Sequence, residues 1–367
     1  VIDLNADPDV KDPRLTTISL THHDLAIGAA IDAEHSLVMV TSGQSGAGGF
    51  VDVIDEHTNT LVAGSPFAFP EGSQAGPYGA IIYNPTTGLA VLGLCENGKC
   101  SSGDPGTGEV TFNPVTHEFG AIIPANYPAA IALNRMTNVT IDASDDDSKG
   151  EIGGIEVGGG RGCTLSDNNL GPSDGAGFDS ATNIVVISAG SEFDAAVVNL
   201  NGSTFTAGMP CSLNEGGTLP NSVKLMGFRF GIVGAAVDIS NHWAFLAGSP
   251  FGGMALVSLP TAPVTQLTAG DISSVSSSFP SDPFDRKWIT SVKPAGVAVA
   301  SCPQLPHKGF AINRDFTFVA EVDLETLMNT PDLVSTAPPA GQCAGTSTVT
   351  KCNNGNGLTF FPLPLGK

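Results

Sequence analysis

A chain of 367 residues with a formal net charge of −21 presents the wrong sign to nucleic-acid phosphates, which require a basic surface. At 41% hydrophobic it can bury a large core, yet only 14% of its residues are charged, and 45 glycines with 26 prolines make up nearly a fifth of it. No long stretch carries apolar residues at helical spacing, so the chain reads as all-β, with many short strands joined by tight turns.

In chain order, the first strand-like segments are VIDLN and LTTISL, within residues 1–20. From Gly28 a longer phrase begins: small and alternating apolar residues, a turn, a β-branched strand, a Gly/Ser loop, and a strand ending apolar–polar–apolar. It reads GAAIDAEHSLVMVTSG followed by VDVIDE, and recurs as GAIIYNPTTGLAVLGLC from Gly79 and AAIALNRMTNVTIDAS from Ala129. It returns as GAGFDSATNIVVISAG from Gly175, GAAVDISNHWAFLAGS from Gly234 and GVAVAS from Gly296. These starts lie 46 to 62 residues apart, room for about four short strands, the content of one β-propeller blade. A blade cannot bury both faces alone, so blades must stack around an axis.

The stretch running from Gly296 through both termini to Gly28 is long enough for two units. The expectation is therefore a single seven-bladed β-propeller domain over residues 1–367, with blades starting near 28, 79, 129, 175, 234, 296 and 345. VIDLN aligns with the third-strand segments VIDEH, VNLNG, VSLPT and VDLET. Residues 1–20 would thus complete a last blade whose first two strands come from GTSTVTKCNNGNGLTFFPLP. Closure of this kind leaves no open sheet edge.

The segments GAAID, LVMVTSG and VDVIDEHTNTLV resemble the YVTN-type β-propeller family, and the likeness extends loosely over most of the chain. The resemblance implies a secreted or periplasmic seven-bladed propeller and no particular chemistry. Independently, no apolar run reaches the ~18–20 residues a membrane helix needs, and the chain begins at Val1 without Met, which reads as a processed or trimmed end. Seven cysteines include Cys95 and Cys100, in a Gly/Asn-rich loop where a local disulfide is expected, and this favours an oxidising, secreted setting. Zinc is the alternative, but the spacing is not C-x2-C and no His stands beside the pair. Cys163 and Cys211 sit in matching phrases and are a weaker candidate pair.

Family geometry implies that the segments leading into first strands and the loops joining second to third strands share one face. On that face the ligand-binding candidates are His22, His23, Asp24, Tyr78, Tyr127, Asp174 and Asp194. The segment DASDDDSKGE offers Asp142, Ser144, Asp146 and Ser148 as alternating oxygen ligands for a hard cation such as Ca²⁺, although it departs from an EF-hand loop. His22 and His23 can offer an imidazole to a transition metal, one of the two facing inward. Asp32, Asp179 and Asp238, which end first strands, read as turn-forming residues that accept backbone N–H groups. His57 and His117 read as solvated turn residues, and Trp243 and Trp288 as core. EVGGGRG is followed by neither Lys-Ser/Thr nor a helix, and GQSGAGG lacks the second glycine of a nucleophile elbow.

Two functions follow. The first is a secreted, non-enzymatic scaffold or surface-assembly protein that presents an acidic loop face to a protein or extracellular polymer partner. The second is a calcium-dependent hydrolase or lactonase with a cation in the central funnel, using carboxylates such as Asp24, Asp174 and Asp194.

Overall fold

The computed structural model describes residues 18–20, 26–44, 48–70, 74–75, 81–95, 108–124, 128–144, 151–156, 162–166, 175–189, 194–201, 221–226, 228, 231–249, 253–278, 294–302, 305–313, 318–329, 352–353 and 358–362. Their strands form six antiparallel sheets; three are four-stranded meanders, and the first, second and sixth keep a meander core with extra short strands on their edges. The first strands of these sheets are Ala26–Asp32, Ile81–Asn84, Pro128–Asn134, Gly175–Asp179, Gly231–Asp238 and Pro294–Cys302. Each packs beside the first strand of the next sheet, and Pro294–Cys302 also neighbours Ala26–Asp32. The sheets therefore stand in a ring, as a β-propeller arrangement with the first strands innermost.

Small residues allow the inner strands to approach. A Cβ on Gly175 would lie 2.7 Å from Gly234 Cα and 2.9 Å from both Ala235 N and Ser188 Oγ. Two of those three obstacles are backbone, so Gly175→Ala forces the fourth and fifth sheets apart. The expected cost is about 1–3 kcal/mol, typical of overpacking. Exposed Gly270 meets only Thr268 Oγ1, at 3.6 Å, so Gly270→Ala is a suitable control. A chemical-denaturation midpoint for Gly175→Ala equal to that of the control would show that the inner strands are not in contact.

The core lies between sheets. Met39, Val51 and Val53 of the first sheet pack on Ala90, Leu92 and Phe112 of the second. Ala132 and Ile141 meet Val185, Ile187 and Val198 across the third–fourth junction. Phe245, Met254 and Leu256 of the fifth sheet pack on Ala311, Val322 and the short helix Leu324–Asn329. Trp243 packs partly buried against this last cluster, as expected of a core residue. The helix itself, directly after the third strand Phe318–Asp323, is a departure from the all-strand expectation.

One expectation is overturned. Leu358–Pro362, expected to open a seventh blade, pairs with Phe318–Asp323 and is the fourth strand of the sixth sheet. Of residues 1–20, expected to supply the closing strands, 1–17 lie outside the described residues and 18–20 form no strand.

Candidate functional site

In a four-stranded meander, the turns after the first and third strands share one end and the second-to-third connections lie at the other. The turn end is built by one sequence device. Asp32, Asn84, Asn134, Asp179 and Asp238 each end a first strand, and all are at most 2% exposed. The Oδ1 atoms accept backbone N–H groups of the turn that follows, from Glu34, Thr86, Met136, Ala181 and Ser240, at 2.9–3.1 Å. This is the turn role expected of the aspartates. Four residues after each stands a residue at positive φ: Ser36, Gly88, Asn138, Asn183 and His242. Gly, Asn and His tolerate that conformation better than most residues.

The second polar atom of these residues reaches the next sheet, which sequence reasoning missed. Asn84 Nδ2 donates to Asn138 Oδ1 at 3.2 Å, and Asn134 Nδ2 to Asn183 Oδ1 at 2.8 Å. His242 Nδ1 lies 2.7 Å from Asp179 Oδ2, and His307 Nδ1 lies 2.7 Å from Asp238 Oδ2. A carboxylate only accepts, so each imidazole donates from Nδ1. The left-handed residue in the turn of one sheet thus clasps the buried Asx of the sheet before it. In the second sheet that residue is Gly88, which has no side chain to offer. Asp32 is instead bonded by His35 of its own turn, at 2.7 Å. Nearby, burial and then the Asp32 carboxylate push the Tyr83 phenol up to about 12. The sequence signal was available: an Asn, His or Gly at the fourth position after Asn84, Asn134, Asp179 and Asp238.

His117, expected to be solvated, stacks on Phe67 with ring centroids 4.2 Å apart and planes 17° from parallel. His57 is exposed, as expected. Asn138 and Asn201, the first residues of the N-x-S/T sequences Asn138-Val-Thr140 and Asn201-Gly-Ser203, are also engaged: Asn138 in its clasp, and Asn201 by donation to Thr182 O and Asn199 Oδ1, both at 2.8 Å.

At the loop end, Asp194 begins the third strand Asp194–Asn199 of the fourth sheet, is nearly buried, and pairs with Lys224 at 2.6 Å. This candidate ligand is therefore neutralised by the neighbouring fourth strand. Asp142 is not in a loop: it belongs to the strand Val139–Ser144, is 3% exposed, and faces the second sheet. Ser144 ends the same strand. Across from Asp142 stands Glu109 of Gly108–Asn113, fully buried, with Oε2 accepting from Thr140 Oγ1 at 3.3 Å. Glu109 Oε1 has no hydrogen-bond partner among the described residues. Burial pushes the Glu109 carboxyl well above the usual carboxylate range and Asp142 adds to this, while the Thr140 bond opposes them. Glu109 was not singled out from sequence, although it interrupts an apolar column of the repeat.

His22, His23, Asp24, Tyr78, Tyr127, Asp174, Asp146, Ser148, Cys100 and Trp288 lie outside the described residues. Cys95 ends the strand Leu89–Cys95, at the loop end. No helix among the described residues is long and apolar enough to cross a membrane. Compared with family models and with curated protein sequences, the chain matches none.

Proposed function

We propose that the chain is a secreted (extracellular or periplasmic), non-enzymatic β-propeller of YVTN type that binds a protein or extracellular polymer through an acidic loop face. The observation that carries this reading is the asymmetry between the two ends of the ring. At the turn end, buried Asx residues and left-handed Asn or His residues are consumed in sheet-to-sheet clasps. The second-to-third connections belong to the opposite end and include the acidic run Asp145, Asp146 and Asp147, and a net charge of −21 gives the chain long-range attraction for cationic partners. The secreted setting rests on the Cys95–Cys100 pairing expected from sequence. A ring closing on six sheets is supported by the contact between Pro294–Cys302 and Ala26–Asp32 and by the placement of Leu358–Pro362.

Binding of the full chain to immobilised polylysine, measured across salt concentration, tests the acidic face. The expected result is affinity that falls with added salt and drops several-fold when Asp145, Asp146 and Asp147 are together replaced by Asn. Salt-independent binding, or no loss in the triple variant, would remove the acidic face from the account. Chelator-sensitive turnover of a lactone would establish the hydrolase reading in its place.

A further inference from the structure

We propose that Glu109 and Asp142, with the hydroxyl of Thr140, form a calcium site bridging the second and third sheets. The ring gives an internal comparison for these positions. At the first–second junction, the residues in the same registers are Val51 and Leu92; at the fourth–fifth junction they are Ala195 and Leu246. All four are buried and apolar. Only at the second–third junction are both columns acidic among these three, with Thr140 where the others carry Ala90 and Ala244. The apolar cluster there is correspondingly small, built on Val91, Ile131 and Leu133.

Two carboxylates facing one another in a dry junction repel, and burial denies them the solvent that would screen the repulsion. Within its own sheet Glu109 pairs in register with Gly93 and Ile123, which bring no charge. Across the junction Asp142 is the charged group set against it. Among the described residues no basic side chain pairs with Glu109, and its Oε1 is buried without a hydrogen-bond partner. An oxygen-only donor set with two carboxylates suits a hard divalent cation. Calcium, which accepts irregular coordination and bidentate carboxylates, fits better than magnesium, which requires a near-ideal octahedron and keeps its waters. Neutralised in this way, the two acids become a cross-sheet tie at a junction whose apolar cluster is small among the described residues.

The test uses the full chain, stripped with chelator and then titrated with calcium chloride at constant pH, with urea unfolding and elemental analysis as readouts. At free calcium a hundredfold above Kd, the unfolding equilibrium constant should fall about a hundredfold, with bound calcium detected in the dialysed protein. Glu109→Gln and Asp142→Asn should each lose the shift, while Asp146→Asn should keep it. Glu109→Leu, which restores the apolar column, should fold in chelator and ignore calcium. Wild-type stability indifferent to calcium and chelator but falling as pH rises, and flat in Glu109→Gln, would overturn the proposal in favour of a shared proton. A calcium shift kept in Glu109→Gln and lost in Asp146→Asn would also overturn it, moving the ion to the acidic run at 145–148.

Discussion

Replacing Asp179 by Ala should be among the most destabilising single substitutions in the chain, costing on the order of 3 kcal/mol. The side chain is fully buried and serves three donors: the backbone N–H of Ala181 at 3.0 Å, Thr182 Oγ1 at 2.8 Å and His242 Nδ1 at 2.7 Å. Hydrogen bonds to a charged group contribute about 1.5–3 kcal/mol each, and the alanine would leave donors buried without acceptors. Such a loss is a large part of the ~5–15 kcal/mol that keeps a domain folded. Asp179→Asn should be much milder, because Asn134 performs the same dual role in the neighbouring sheet. Urea denaturation of both variants checks this. Equal losses for Ala and Asn would mean that the charge, not the clasp, matters here.

Deleting residues 358–367 should abolish the soluble monomer. Leu358–Pro362 pairs along the whole outer edge of Phe318–Asp323, from Phe318↔Pro362 to Val322↔Leu358. Its removal exposes a row of unpaired N–H and C=O groups on a strand reading FVAEVD, a template for edge-to-edge association. Size-exclusion chromatography should show aggregate or no recovery. A parallel deletion of residues 1–17 separates the two closure readings. A six-sheet ring tolerates it, whereas a seventh blade completed by VIDLN and LTTISL would aggregate likewise. A soluble, cooperatively melting C-terminal deletion would show that the sixth sheet does not depend on this strand.

Much of the ring was legible because its units repeat. The phrases from Gly28, Ala129, Gly175 and Gly234 each give a first strand, an Asx turn and a second strand where the alternation placed them. VIDEH, VNLNG, VSLPT and VDLET fall on third strands. What escaped were contacts between units. Alternation says that Asp142 and Thr140 share a face, but not that Glu109, more than thirty residues earlier, opposes them. Asp179 was read as a local turn former, yet its second oxygen meets a histidine 63 residues later, where local spacing carries no signal. The last strand was misassigned because a repeat phrase does not say which neighbouring strand a C-terminal segment pairs with. Asp194 looked available for ligand, and only the pairing of Asn221–Leu225 with its sheet brings Lys224 to it.

The central claim is that successive sheets from the second to the sixth are clasped, the buried Asx of one by the left-handed residue of the next. The most direct measurement is a double-mutant cycle on Asp179 and His242, with unfolding free energies for Asp179→Ala, His242→Ala and the pair together. Direct contact predicts a coupling energy of at least about 1 kcal/mol, within the ~0.5–3 kcal/mol found for interacting residues. Additivity to within about 0.3–0.5 kcal/mol, the behaviour of distant and independent sites, would contradict it.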